Sequence, residues 1–149
     1  MSGLDLACEL ARSFEGLCLY PYLCPAGVPT IGYGTTRYPG GTVVSLNDSP
    51  ITRADAEKLL RYEMQAGLDR AFALSPSLAS ESEGKQAAIA DFIYNLGSGR
   101  YAASTLRKRI ESGDFDDVPD QLRRWTKAGG RQLRGLVLRR EAEISLWLK

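Results

Sequence analysis

Apolar residues recur at helical intervals through residues 4–14, where Leu6, Leu10 and Phe14 fall on one side. That period predicts a short first helix stopped by Gly16. Between Leu17 and Leu46 it is lost: Pro21, Pro25, Pro29 and Pro39 alternate with glycines, and short β-prone runs lie at 30–34 and 42–45. This composition predicts a small antiparallel sheet. Thr52 followed by Asp55 forms a capping-box pattern, and Leu60, Met64, Leu68 and Ala71 then follow at helical steps, so a long helix is expected from Thr52 to about Leu74. A polar loop over 75–84 precedes a helix over 85–96, with Ala88, Phe92 and Leu96 inward and Gly97 to Gly99 ending it. Shorter helices are expected near 104–112 and 116–126, a break at 128–130, and a last helix over 132–148. Helix, small sheet, long helix and helical body in this order predict an α+β fold with segregated parts. The expected boundaries are a sheet lobe over about 16–50, and a helical lobe over about 60–149 that also takes the N-terminal helix.

The length of 149 residues suits one domain with its own core, and no apolar run approaches the roughly 20 residues needed to span a bilayer. No basic leader followed by an apolar block is visible in the first residues, so synthesis and folding in the cytoplasm are expected. Net charge is +1, yet residues 121–149 hold eight basic and two acidic side chains, a local +6. Such a segment suits an anionic surface, unless it is a solvated face paired with acids elsewhere in the fold. Three cysteines and no histidine exclude the usual mixed zinc sites, and the odd count excludes a complete disulfide framework. Cys8 lies at a core-like position of the first helix.

Candidate chemistry gathers in FEGLCLYPYLCPAGVPTIGYG, residues 14–34. Glu15 is its one carboxylate; Cys24 follows nine residues on and Thr30 six beyond that. At a helix C-terminus the macrodipole disfavours an ionised carboxylate, so Glu15 suits a proton donor. Opposed to it, Cys24 and Thr30 could hold and activate water, the division of labour that inverting glycoside hydrolysis requires. A thiol in that role is unusual, since free cysteine titrates near 8.5. By spacing alone an ordinary hairpin with a buried cysteine fits as well.

The same stretch resembles the signature of the phage-type lysozymes, the endolysins of glycoside hydrolase family 24. KQAAIADFIYNLGSG (85–99), STLRKRIESGD (104–114) and WTKAGGRQLRGLVLRREAEISLW (125–147) resemble the family's later segments in the same order. The resemblance implies a two-lobed lysozyme fold and a muramidase that cleaves the β-1,4 bond from N-acetylmuramic acid to N-acetylglucosamine, without cofactor or metal. It implies Glu15 as general acid, Thr30 as holder of the attacking water, and Cys24 at the position of a second acid. Thr35 stands where many members carry histidine, so an ion pair found in those relatives is lost. Some relatives with cysteine at the second position use disulfide exchange, which makes Cys18 and Cys24 a candidate redox pair; two reduced thiols are the other expectation. Asn95 and Tyr33 are expected to bind substrate, and Arg134 or Arg139 to partner Glu15. Expected partners are peptidoglycan glycan strands and, through the basic segment, the anionic envelope; nucleic acid is not expected, and the chain is expected to be a monomer. It would pass from the host cytoplasm to the wall in the periplasm. A lytic transglycosylase using Glu15 alone, and a wall-binding protein without turnover, are the alternatives.

Overall fold

The computed structural model describes residues 1–149. The chain runs α1 (Gly3–Phe14), β1 (Cys18–Leu23), β2 (Pro29–Gly32), α2 (Arg53–Leu74), α3 (Glu83–Leu96), α4 (Ser98–Ala102), α5 (Thr105–Glu111), α6 (Val118–Arg123), β3 (Lys127–Ala128), β4 (Arg131–Gln132) and α7 (Arg134–Trp147). It divides into two compact units, a smaller one over Ala11–Glu63 and a larger one made of Met1–Leu10 and Met64–Lys149. No helix is long and apolar enough to cross a membrane.

The smaller unit is built on the β1–β2 hairpin, antiparallel, with Cys18 opposite Gly32, Tyr22 opposite Thr30 and Leu23 opposite Pro29. Four residues of β1 separate the first two pairs against two of β2, so β1 bulges in between. The expected strand over 42–45 is reduced to one bridge, Arg37 to Val43, because glycines and a proline at 39–41 leave no room for a ladder. Ile31, Tyr33, Val44, Ala56 and Leu60 form the buried apolar set of this unit.

The capping box at α2 is made reciprocally: Thr52 Oγ1 accepts from the Asp55 amide, and an Asp55 carboxylate oxygen accepts from the Thr52 amide, each at 3.0 Å. Leu60, Met64, Leu68 and Ala71 are buried as the period predicts. In α1 the buried stripe is displaced. Ala7, Cys8 and Ala11 are sealed while Leu6 and Phe14 are only half-buried, because the small side chains let the helix pack closely.

The larger unit packs Phe92, Tyr101, Leu106, Ile110, Val118, Leu122 and Trp147 into one core, with α3 against α7 at its centre. Ser82 and Ser104 cap α3 and α5 through their hydroxyls. The expected break at 128–130 is a hairpin instead. Gly129 and Gly130 take φ of 59° and 76°, the left-handed pair that lets β3 return directly as β4. Gly97, at φ 97°, ends α3 as expected; the short α4 that starts one residue later is not foreseen.

Candidate active site

Cys24 leaves β1 into a tight loop in which its amide donates to the Val28 carbonyl at 3.0 Å and its carbonyl accepts from Gly27 at 2.8 Å. Gly27 takes φ 77°, which a side chain would oppose. Hydrogen bonds from Val28, then from Ala26, with a smaller one from the Thr30 hydroxyl, hold the Cys24 thiol below its ordinary pKa. Such donors favour the anion.

Thr30 is buried, and its Oγ1 donates to the Val28 carbonyl at 2.8 Å. One hydroxyl has one proton, so the bond to Val28 and the bond to Cys24 exclude each other. With a neutral thiol the hydroxyl serves Val28; with a thiolate it can turn to the sulfur.

Glu15 follows the last turn of α1, where its amide donates to Ala11 at 2.8 Å, and its side chain is half-buried. Tyr22 links it to the thiol. Burial first, then the charges of Cys18, Cys24 and Glu15, hold the Tyr22 phenol above its usual range. Tyr22 is thus within electrostatic reach of the acid and the sulfur, and it lies opposite Thr30 in the hairpin. Glu15, Cys24 and Thr30 all belong to the smaller unit, and Tyr22 feels the charges of the first two. A fourth group joins them. Glu63 of α2 accepts from the Thr35 hydroxyl at 2.9 Å, and its carboxyl is raised, mainly by burial and in smaller part by the charge of Glu15. Threonine and glutamate thus share one hydrogen bond. Glu63 is absent from the sequence reading, although a carboxylate three positions after Leu60 on the buried side of α2 marks it.

Other expected residues fare differently. Cys18 and Cys24 are free thiols. The hairpin measures their separation: Cys18 stands opposite Gly32 and Leu23 opposite Pro29, three β2 steps or about 10 Å, with Cys24 one residue further. A disulfide needs Cα atoms within about 7 Å, so the redox pair is not compatible with this strand. Cys18 opens β1 and Cys24 follows its last residue, so a strand and not a turn separates them. Cys18 Sγ points to the Tyr20 carbonyl at 3.2 Å.

Tyr33 is 3% exposed and its hydroxyl donates to Glu57 at 2.8 Å, while Arg12 holds the same carboxylate. It is a core residue of the smaller unit and not the sugar-binding surface expected of it. Asn95 lies half-buried in the last turn of α3, its Oδ1 accepting from Arg140 at 2.7 Å. Arg139, one expected partner of Glu15, gives Nε and Nη2 to Asp91 at 2.9 and 2.8 Å. Arg134, the other, is exposed at the start of α7.

With this geometry in place, comparison with known proteins is decisive. The family profile described as phage lysozyme matches residues 12–143. The chain belongs to the phage lysozyme family. This phage lysozyme is 37% identical over 141 residues to the SAR-endolysin of bacteriophage PS119, covering 91% of this chain and 78% of that one. The endolysin from Escherichia coli O157:H7 phage FAHEc1 superposes with a TM-score of 0.84 at 27% identity, covering 97% of this chain and 91% of that one. The muramidase domain of SpmX from Asticaccaulis excentricus follows with a TM-score of 0.79 at 28% identity, covering 96% and 95%. The lysozyme-like α+β fold holds, and the lysozyme is a muramidase that hydrolyses peptidoglycan.

Proposed function

We propose that this muramidase cleaves the β-1,4 bond from N-acetylmuramic acid to N-acetylglucosamine with Glu15 as general acid and the Cys24 thiolate as general base. Glu15 gives its proton to the glycosidic oxygen as that bond breaks. A water molecule attacks the anomeric carbon from the other face and passes a proton to the sulfur, which becomes a thiol. Thr30 acts through Cys24, its hydroxyl turning to the anion before the proton arrives. What supports this reading is the tight loop at 24–28, closed by the Cys24 amide on the Val28 carbonyl and by Gly27 on the Cys24 carbonyl, in which the Cys24 thiol is held below its ordinary pKa. A cysteine kept only for packing needs no such lowering.

The setting we propose is host-cell lysis, with the chain made in the cytoplasm and acting on the wall in the periplasm. The exposed basic side chains near the end of the chain would add contact with the anionic envelope.

Purified peptidoglycan tests the chemistry. Glu15→Gln should lower release of reducing ends by 10²-fold or more, the usual worth of a positioned acid. Cys24→Ser, which cannot ionise near neutral pH, should fall by a similar factor, and Cys24→Asp should keep substantial activity. Full activity in Glu15→Gln would sink the acid; full activity in Cys24→Ser would sink the base. Anhydro-muramyl ends in the products would mean transglycosylation.

A further inference from the structure

In the smaller unit, α2 presents two different faces. Ala56 and Leu60 are sealed inside, while Asp55, Lys58, Leu59 and Tyr62 recur at steps of three and four along another side. Together with Tyr38, Pro39 and Ile51 they line a groove of about 430 Å³, within the range of small-molecule sites. All of these residues belong to Ala11–Glu63.

The lining is mostly apolar, and it is fixed in advance. The Tyr38 hydroxyl donates to Asp48 at 2.7 Å, and the same carboxylate accepts from the Ser45 amide at 2.9 Å. Burial first, then the bond to Asp48, pushes the Tyr38 phenol up to about 12, so this wall carries no charge. Ile51 is tied by its amide to the Leu19 carbonyl at 2.9 Å. A wall held this way loses little entropy when a ligand arrives.

The polar groups are few and of both signs. Hydrogen bonds from Thr52, backbone first, hold the Asp55 carboxyl below its usual range, so it is ionised. Lys58 stands three positions on, which puts a carboxylate and an ammonium on side chains whose Cβ atoms are about 5–6 Å apart. The Lys58 ammonium and the Tyr62 hydroxyl make no hydrogen bond within the chain, and Tyr62 is 55% exposed. The groove therefore complements an occupant with an apolar body and one charge of each sign.

We propose that this groove takes one zwitterionic phospholipid of a bilayer surface: phosphate on Lys58, primary ammonium on Asp55, and the start of an acyl chain along Tyr38, Ile51 and Leu59. The phosphate and ammonium of an ethanolamine head are joined through two carbons, which suits the spacing of residues 55 and 58. Tyr62 can donate to the phosphate or to an ester carbonyl. A lipid with a phosphate and no ammonium meets Lys58 but leaves Asp55 facing a like charge. None of these residues takes part in the proposed hydrolysis, so lipid binding is tested apart from it.

The test is calorimetric titration of the whole chain with dihexanoylphosphatidylethanolamine, kept below its micelle concentration. Saturable binding is expected, with dihexanoylphosphatidylglycerol about tenfold weaker. Lys58→Glu should raise Kd for the ethanolamine lipid about tenfold and Tyr62→Ser several-fold. Both variants should release reducing ends from peptidoglycan at the parent's rate. The parent chain should float with phosphatidylcholine vesicles only when they also contain phosphatidylethanolamine. Equal affinity for the two soluble lipids overturns the proposal, as does an unchanged Kd in folded Lys58→Glu. Absence of binding overturns it too; a dimer in sedimentation that Tyr62→Ser dissolves would then make a second copy the occupant. If Lys58→Glu does not fold, Tyr62→Ser and the comparison of head groups decide.

Discussion

Thr35 donates to Glu63 at 2.9 Å, yet burial outweighs that bond and holds the Glu63 carboxyl above its usual range. A carboxyl raised on folding stabilises the native state while protonated. That stability is lost as pH climbs from the unfolded to the folded pKa. Glu63→Gln keeps an acceptor for Thr35 and has no charge to bury. It should raise the melting temperature by a few degrees at pH 7 and leave it unchanged in acid, below the carboxylate range. Thermal unfolding followed by circular dichroism at the two pH values checks this, and an equal gain at both would point to packing instead. Individual residues were legible in unequal measure. The Glu15, Cys24 and Thr30 spacing and the T-I-G-x-G turn were visible because they are local. Between a Cys18 and Cys24 pair and two reduced thiols the sequence left the choice open, because a strand and a turn of six residues look alike until register is known. Tyr33 was misread because exposure depends on Glu57, a partner 24 residues away.

At the scale of elements, α3 and α7 approach so closely at Gly84 that an added Cβ would run into the Leu146 carbonyl oxygen. That atom is helix backbone, which gives way less easily than a side-chain tip. Gly84→Ala should therefore cost about 1–3 kcal/mol, the usual penalty of overpacking, despite alanine's better helix propensity. Chemical denaturation measures it, and a stabilised variant would show that the helices part without strain. Caps and turns divide in the same way as residues. The Thr52 and Asp55 box was legible because its partners are three residues apart, and the α2 stripe because its period is regular. The β3–β4 hairpin was not, since two residues a side give no alternation and Gly129 and Gly130 read simply as a break. The α1 stripe was misplaced because the period was traced through the largest apolar residues, whereas alanine and cysteine occupy the closest approach.

Across the whole molecule, folding redistributes the positive charge that the sequence concentrates in residues 121–149. Arg139 and Arg140 are withdrawn into the core against Asp91 and Glu143, and Arg123 bonds Asp120 and Glu141. Arg124, Lys127, Arg131, Arg134 and Lys149 stay exposed, with Lys127 and Arg131 on the β3–β4 hairpin. Contact with an anionic envelope would fall to these five and not to the whole segment. Reversing Lys127, Arg131 and Arg134 to glutamate should weaken sedimentation with permeabilised Gram-negative cells about tenfold at low ionic strength. Near 1 M salt, where screening acts within about 3 Å, the difference should nearly vanish. Cleavage of soluble glycan strands of alternating N-acetylmuramic acid and N-acetylglucosamine near 1 M salt should be unchanged, because these charges lie outside the proposed chemistry. Arg139→Gln gives the contrasting result: it strips Asp91 of its buried partner, so about 3–5 kcal/mol of stability should go at any salt concentration. Binding that is equal for parent and triple variant at low salt would leave the exposed charges with no part in reaching the wall.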